Sequence, residues 1–321
     1  MLTTSTPHRV SPARIRSVLA ALAAAAVAAA AVPSVSAASV DQTIEVGGIR
    51  RTYVLHVPAA LPANAAVPLV FVLHGGGGAG RQIERETRFS DLADRNGFIA
   101  IYPDGIDRSW NDGRGDPQIG AQRANIDDVA FIAALIEALS QRYRIDPRRV
   151  YSTGISNGGF MSQLLAARLS GRIAAIAPVA GGMGPAVLAS LRPEQPVSVL
   201  MINGTADRLV PYAGGPVARN RGATAPVPEI VQKWAEVDRC AANPPTAALP
   251  DVDPADGSRV KVTTYSPCAQ RTEVVLYTID GGGHTWPGGS QYLPRLIVGP
   301  VNRDINASEV IWKFFADHPR P

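Results

Sequence analysis

The sequence has few of the residues from which metal and redox sites are built. It contains two cysteines and five histidines in 321 residues. Neither a His-Glu-x-x-His sequence nor a paired Cys-x-x-Cys motif occurs, and these are spacings with which zinc sites are typically made. The sequence therefore has no metal signature.

Signatures of nucleotide and nucleic-acid binding are missing as well. The glycine-rich stretch 74–80 is not followed by Lys-Ser/Thr, which excludes a phosphate-binding P-loop, and no dinucleotide fingerprint occurs in the expected context. The formal net charge is +4, but residues 1–37 contain three of the 31 basic residues and none of the 27 acids. The remaining chain is close to neutral, so we expect no nucleic-acid partner.

No apolar run is long enough to span a membrane. The longest, Val18–Val32, consists only of Ala, Val and Leu, whereas a spanning helix needs about 20 residues. Three arginines precede it, and Val35-Ser36-Ala37 follows as a small-x-small cleavage site. We predict a secretory signal over residues 1–37, a single domain over 38–321, and an exported protein without a stable membrane anchor.

The predicted export bears on the redox state of the two cysteines. In an oxidising compartment, Cys240 and Cys268 are expected to form a disulfide. By loop-entropy reasoning, a closed loop of about 29 residues gives roughly 3–4 kcal/mol of stabilisation.

Strands and helices alternate along the chain, which is typical of an α/β domain with a mostly parallel sheet and helices on both faces. An opening hairpin is predicted around Gly47-Gly48. The continuous apolar run Pro68–Leu73 is typical of a strand buried on both faces. Further strands are predicted over 98–102, 149–153, 173–177, 197–202 and 272–279, and helices over roughly 83–96, from 127, and over 160–168, 227–237 and 307–316.

A G-x-S-x-G pattern lies between a predicted strand and a predicted helix. Gly154-Ile155-Ser156-Asn157-Gly158 follows the strand over 149–153 and precedes the helix over 160–168. This is the context of the nucleophile elbow of an α/β-hydrolase. Serine is a weak nucleophile at its free pKa, so its hydroxyl must be presented to a base. We therefore predict Ser156 as the nucleophile.

An acid and a histidine follow in the order that this fold requires. Asp207 comes just after the strand over 197–202, and His284 comes after the strand over 272–279. His284 is the expected general base and Asp207 the group that orients it. Asp280, close to His284 in sequence, is the competing candidate for the acid.

Two backbone amides should stabilise the oxyanion of an acyl-transfer intermediate. One is expected from Asn157, directly after the nucleophile, and the other from the loop His74–Gly78 after an early strand. Gly76 is the favoured donor, although the choice among the glycines stays open. His74 is expected to be a structural hydrogen-bonding residue at this turn.

Two tryptophans are candidates for substrate binding. Trp286 follows His284 by two residues, and Trp110 lies in a loop expected at the same edge of the sheet. We predict that both contact the substrate, with packing between loops as the alternative for each.

Several segments together resemble the secreted esterase/polyhydroxybutyrate (PHB) depolymerase family, which includes feruloyl and acetylxylan esterases. The resemblance covers nearly all of residues 38–321. It implies a polyester or plant-wall ester substrate, no cofactor and the triad above, and it supports the Cys240–Cys268 bridge. The segments are His74–Gly78 (HGGGG), Asp127-Asp128-Val129, Arg149-Val150-Tyr151, Gly154–Met161 (GISNGGFM) and Gly282–Gly288 (GGHTWPG).

The leading hypothesis is therefore a secreted serine esterase for hydroxyalkanoate-type polyesters, their oligomers and short-chain esters. The sequence ends at Pro321 without the linker and binding domain that depolymerases of crystalline polymer carry, which favours oligomers, amorphous polymer or small esters. Feruloyl or acetylxylan esterase activity is the alternative. More distant alternatives are a serine peptidase and a non-catalytic hydrolase-like binding protein. The oligomeric state stays open.

Overall fold

A computed structural model describes residues 1–3, 38–61 and 65–321. The chain divides into two units, Met1–Val35 and Ser36–Pro321, and every element below belongs to the second. The predicted secretory signal lies almost wholly outside the described residues. Among the helices that are described, none is long and apolar enough to cross a membrane.

Ten strands of the described chain form one mixed sheet, in the order β1-β2-β4-β3-β5-β6-β7-β12-β11-β10. The six central strands, from β4 to β12, run parallel, and two antiparallel strands lie at each edge. A separate ribbon pairs β8 with β9. The strands are β1 (Val40–Val46), β2 (Ile49–His56), β3 (Val67–Leu73), β4 (Ile99–Pro103), β5 (Ile145–Ile155), β6 (Ala175–Val179), β7 (Ser198–Gly204), β8 (Gly215–Pro216), β9 (Ala223–Thr224), β10 (Thr246–Ala248), β11 (Arg259–Tyr265) and β12 (Val274–Asp280).

Helices cover both faces of the sheet, as the apolar run in β3 predicts. Leu69, Phe71 and Leu73 lie in one hydrophobic core, and the alternate residues Val70 and Val72 lie in the other. Helices α4, α5 and α7 contribute to the first core, and α1, α2 and α9 to the second. The helices are α1 (Gly80–Thr87), α2 (Phe89–Asn96), α3 (Gly120–Arg123), α4 (Asp128–Arg142), α5 (Asn157–Arg168), α6 (Pro185–Ala189), α7 (Val227–Val237), α8 (Arg295–Val298) and α9 (Ala307–Asp317).

The helix predicted over 83–96 is two helices, which corrects the sequence interpretation. Arg88 adopts a left-handed backbone conformation (φ 54°) and separates α1 from α2. The first residue after this break, Phe89, is fully buried. Its ring lies edge-on to that of Phe98, at 6.3 Å between centroids. Apolar periodicity alone does not show such a break, because both helices keep an apolar face toward the same core.

The predicted disulfide is confirmed. Cys240 and Cys268 are bonded, which joins the segment after α7 to the segment before β12. Between them lie β10 and β11, two antiparallel edge strands that the sequence analysis did not predict. The disulfide therefore closes a loop that contains one edge of the sheet.

A buried carboxyl group lies at the end of α7, close to this bridge. The side chain of Asp238 is inaccessible to solvent; its Oδ1 accepts a hydrogen bond from the amide of Val197 at 3.3 Å, while its Oδ2 has no partner among the described residues. Burial raises the pKa of Asp238 from 3.8 to about 7. Between these two pH values the Asp238 carboxyl is ionised in the unfolded chain but protonated in the folded protein. The contribution of Asp238 to the free energy of unfolding therefore falls as pH rises from about 4 to about 7.

We expect Asp238→Asn to raise the free energy of unfolding by about 1–3 kcal/mol at pH 8 and by much less at pH 5. The neutral amide does not titrate, so the gain grows as pH rises from about 4 to about 7, the range in which the carboxyl is ionised in the unfolded chain but still protonated in the folded protein. Urea denaturation at both pH values measures the difference. Glu194→Gln, at an exposed carboxylate, is the matched control and should give no such pH-dependent gain. A gain of equal size at both pH values would contradict the titration of Asp238.

Candidate active site

Ser156 lies at a sharp turn between a strand and a helix, as the G-x-S-x-G pattern predicts. Strand β5 ends at Ile155 and helix α5 begins at Asn157. Ser156 has φ 56° and ψ −122°, an unfavourable backbone conformation that costs on the order of 1–3 kcal/mol and that the surrounding structure must impose. The turn thus presents the serine side chain at the end of the parallel strands.

Glycines on either side of Ser156 are required by close packing against β3. A Cβ on Gly154 would lie 2.6 Å from the carbonyl oxygen of Leu73, and one on Gly158 would lie 2.4 Å from the same atom. Both distances are far below van der Waals contact, so a larger residue would push the elbow away from β3.

Asp207 and His284 are joined by a hydrogen bond. The Oδ2 atom of Asp207 lies 2.7 Å from Nδ1 of His284, and both side chains are buried. The other carboxylate oxygen, Oδ1, accepts the backbone amides of Leu209 and Val210, each at 2.8 Å. Because an ionised carboxylate only accepts hydrogen bonds, the bond places a proton on Nδ1 and leaves the lone pair of neutral His284 on Nε2.

Asp280, the competing acid, lies away from this histidine. It is the last residue of β12 and is exposed, and its Oδ2 pairs with Lys261 Nζ at 3.0 Å. Hydrogen bonding and charge attraction from Lys261 lower the pKa of Asp280. Its contacts are those of a surface ion pair.

A pocket of about 440 Å³ is lined by two of the three predicted catalytic residues, Ser156 and His284. Ser156, Asn157, His284 and the glycine loop all line it, while Asp207 lies behind His284. Leucine, valine and isoleucine side chains provide much of the remaining wall, and arginines provide part of its polar surface. These other lining residues include Leu209, Val210, Val217, Tyr292, Leu293, Ile297, Arg108, Arg114 and Arg221.

Backbone hydrogen bonds narrow the choice of oxyanion donor within the loop. The amide of Gly77 donates to Arg108 O at 2.7 Å, and the amide of Gly78 donates to Gly75 O at 2.9 Å. Within the described chain, the amide of Gly76 has no acceptor, and that of Asn157 is a first-turn amide without an intrahelical partner. A Cβ on Gly76 would lie 3.8 Å from Cβ of Asn157, so the two residues adjoin.

His74 anchors the same loop from beneath. Its Nδ1 donates to Gly75 O at 2.8 Å, and its Nε2 accepts the amide of Gly105 at 2.9 Å. Burial lowers the pKa of His74, which keeps the ring neutral, as this pair of hydrogen bonds requires. Both ring nitrogens are occupied by structural partners, in line with the role expected from the sequence.

A buried polar network fixes Asn157, and sequence reasoning missed it. The Nδ2 atom of Asn157 donates to Asp112 Oδ2 at 2.6 Å, and its Oδ1 accepts the amide of Trp110 at 2.8 Å. Arg114 neutralises Asp112 at 2.7 Å, with both side chains almost fully buried. Gln122 donates to the same carboxylate at 2.9 Å. The network holds the start of α5, and with it the amide of Asn157, in one orientation.

The two tryptophans lie beside the pocket and do not line it, which corrects their predicted contact with substrate. Trp110 is fully buried, and its Nε1 donates to His74 O at 2.8 Å. Trp286 is 5% exposed, donates to Ser308 Oγ at 3.0 Å and borders a separate recess of about 200 Å³. The alternative of packing between loops therefore describes both residues. Proximity in sequence to His284 did not show which way the Trp286 side chain points.

Tyr292 takes the position at the pocket that was predicted for the tryptophans. Its hydroxyl donates to the carbonyl oxygen of His284 at 3.1 Å, and its ring lines the pocket with Leu293 and Ile297. Burial raises the pKa of Tyr292, and the nearby charge of Asp207 raises it further. The hydroxyl therefore stays protonated and can keep donating to the histidine loop.

The sheet topology, the elbow and the buried Asp–His pair define an α/β-hydrolase. A family model described as "Esterase PHB depolymerase" matches residues 51–190. "Putative esterase NocK" of Nocardia uniformis subsp. tsuyamanensis is 32% identical over 289 residues, covering 87% of this chain and 83% of that protein. The chain belongs to the esterase/PHB depolymerase family and is a carboxylic ester hydrolase.

One further relative agrees with this assignment, and one solved structure agrees with the fold. "Feruloyl esterase B" of Piromyces equi is 27% identical over 243 residues, which cover 73% of this chain and 42% of that protein's length. The solved structure "Acetyl xylan esterase from Aspergillus awamori" has a TM-score of 0.59 at 15% identity, covering 87% of this chain and 99% of that one. At that identity, the structural likeness supports the fold alone.

Proposed function

We propose that the protein hydrolyses carboxylic esters through an acyl-enzyme formed on Ser156, with His284 as general base and Asp207 as its orienting acid. The observation that carries the proposal is the 2.7 Å Asp207–His284 hydrogen bond behind a pocket that His284 shares with Ser156. The conformation of Ser156 supports it, because a strained backbone at a pocket is typical of functional residues.

The chemistry follows from the proton positions. His284 Nε2 takes the proton of the serine hydroxyl as its oxygen attacks the ester carbonyl, and Asp207 stabilises the resulting imidazolium. The amides of Gly76 and Asn157 donate to the oxyanion of the tetrahedral intermediate. His284 then protonates the leaving alkoxide, and the acyl group remains on Ser156. A water molecule, deprotonated by His284, releases the acid and restores the serine.

Hydroxyalkanoate esters and short-chain esters are the substrates we favour. The family model's description supports a hydroxyalkanoate substrate, and the mixed apolar and cationic lining of the pocket suits a short aliphatic chain with polar ends. Feruloyl or acetylated plant polysaccharide is the second candidate, and the name of the Piromyces protein supports the feruloyl ester.

We further propose that residues 38–321 form a single catalytic domain that is exported after cleavage of the signal. The confirmed disulfide supports an oxidising compartment. Neither a nucleic-acid partner nor a membrane anchor is part of this proposal.

Turnover of linear 3-hydroxybutyrate oligomers, methyl ferulate and acetylated xylan, measured side by side by release of acid, tests the substrate assignment. We expect the oligomers to give the highest kcat/KM. Turnover of methyl ferulate alone would reverse the ranking of the two candidates, and turnover of acetylated xylan alone would assign the protein to deacetylation.

A further inference from the structure

Arg221 places a positive charge directly at the glycine loop of the pocket. The residue is half-buried and lines the pocket. Its Nη1 atom lies 3.5 Å from the position that a Cβ on Gly76 would occupy, which makes it the nearest atom to that point. A group bound at the oxyanion loop would therefore lie within reach of this guanidinium.

Among the described residues, Arg221 has no acidic partner for its charge. In the described part of the chain, no carboxylate lies within 4.0 Å of its guanidinium, and the guanidinium donates no hydrogen bond. Arg114, its neighbour in the pocket wall, differs: it is paired with Asp112 at 2.7 Å. A partly desolvated guanidinium that lacks an acid has unused donors in a planar fork, which matches the shape of a carboxylate.

The backbone of Arg221 is held in place. Arg114 donates through Nη1 to the carbonyl oxygen of Arg221 at 3.0 Å, and Arg114 itself lies over the Phe160 ring at 4.0 Å. The turn is closed by a bond from the Val217 amide to Gly222 O at 2.9 Å. Through Arg114 and Asp112, this turn is connected to the network that fixes Asn157.

Acidic residues in the same wall are engaged elsewhere. Asp107 lies 3.7 Å from Arg123 in an exposed ion pair. Glu86 accepts a hydrogen bond from Gln82 at 2.8 Å, and its charge acts on Tyr292. Arg108, the other arginine of this wall that is not paired with an acid of the described chain, is exposed and donates to Gly78 O at 3.2 Å. Arg221 is thus the cation best placed to meet a substrate at the reacting carbonyl.

We propose that Arg221 binds a carboxylate of the substrate, so that the preferred esters carry a free carboxylate a few atoms from the bond that is cleaved. Linear oligomers of hydroxy acids have such a group at one end, and monoesters of dicarboxylic acids have it on the acyl side. This inference rests on the proposed ester hydrolysis and narrows its substrate class. Neutral esters of the same size would bind without this ion pair.

Two matched substrate pairs test the role of the charge. Mono(4-nitrophenyl) succinate and 4-nitrophenyl butyrate differ by a carboxylate on the acyl side, and the linear 3-hydroxybutyrate dimer and its methyl ester differ by one on the alcohol side. We expect Arg221→Gln to lower kcat/KM about 10–100-fold for the charged member of at least one pair, as for loss of a charged hydrogen bond. The neutral members should stay within about twofold. The pair whose charged member loses kcat/KM shows whether Arg221 binds a carboxylate on the acyl side or on the alcohol side of the ester.

Three controls make the result specific. Arg221→Lys keeps the charge but lacks the planar fork, so it should restore only part of the selectivity. Arg50→Gln, at an exposed arginine of the opening hairpin, matches the change in net charge and should leave both pairs unchanged. Arg108→Gln should have a smaller effect than Arg221→Gln. A thermal melt shows that each variant is folded.

Equal losses for charged and neutral esters in Arg221→Gln would overturn the proposal, since Arg221 would then support the oxyanion loop and not a substrate anion. Unchanged selectivity, or a loss found only in Arg108→Gln, would overturn it too. Saturation-transfer NMR with the Ser156→Ala variant measures binding without turnover. Its two probes, monoethyl succinate and diethyl succinate, differ in whether they carry a free carboxylate. Failure of hydrolysis in the wild type therefore remains distinguishable from failure of anion recognition.

Discussion

Ser156→Ala is expected to lower kcat/KM for 4-nitrophenyl butyrate by about 10⁴–10⁶-fold, as loss of the nucleophile does in serine hydrolases. Without the hydroxyl, no acyl-enzyme can form, and the remaining rate comes from the oxyanion amides and from binding alone. The substitution removes a single oxygen from a small side chain. The elbow itself should persist, because its strain is imposed by the packing of the neighbouring glycines against β3.

A stopped assay with the ester and mass spectrometry of the protein measure this effect in two ways. The wild type should accumulate a covalent acyl adduct with a slow ester, and the variant should not. Ser290→Ala, at an exposed serine in the loop that follows His284, removes the same atom outside the pocket and should leave the rate unchanged. Activity within tenfold of wild type in Ser156→Ala would remove Ser156 from the mechanism.

The sequence could predict that the three candidate catalytic residues lie close together, because each follows a buried strand. The carboxyl ends of parallel strands meet at one edge of a sheet, so Ser156, Asp207 and His284 had to lie at the same edge once the strands were recognised. The structure places Ser156 and His284 in one pocket and bonds His284 to Asp207. No knowledge of side-chain rotamers was needed for that step.

Residues that depend on side-chain direction could not be predicted in the same way. Trp110 and Trp286 lie near the site, yet both are buried and donate hydrogen bonds within the protein. Asp112 and Arg221 belong to loops far apart in sequence, and only the folded chain connects them, through Arg114. The spacing of residues along the sequence does not show which side chains from distant loops contact one another.

The fold shows the same limit. Periodicity identified the central parallel strands because their buried runs are long and continuous, as in β3. The edge strands β10 and β11 were missed: β10 is three exposed residues, and β11 is mostly half-exposed. Edge strands bury little apolar surface, so their pattern is weak. The break at Arg88 was missed because one left-handed residue leaves no mark on composition.

Asp207→Asn should lower kcat about 10⁴-fold, with far less effect on KM, as the corresponding change does in a serine protease triad. The geometry gives the reason. The amides of Leu209 and Val210 both donate to Oδ1 of Asp207, so in the variant the amide oxygen must take that position. Its NH₂ group would then face His284 Nδ1, which could only accept. The ring proton would move to Nε2, the atom that must be unprotonated to receive the serine proton.

Asp280→Asn is the matched control. It removes the same charge from Asp280, the competing acid, which lies four residues before His284 in the sequence. Since Asp280 is exposed and paired with Lys261, its replacement should change the rate by no more than about twofold, in line with the small contribution of surface ion pairs. A wild-type rate in Asp207→Asn together with a large loss in Asp280→Asn would reassign the orienting acid. Large losses in both would instead mean that the charge of the β12 end acts on His284 at a distance. The two variants, measured with the same ester, therefore distinguish a specific hydrogen bond from a long-range electrostatic effect. If the hydrogen bond matters, only the replacement of Asp207, the residue bonded to Nδ1 of His284, lowers kcat strongly.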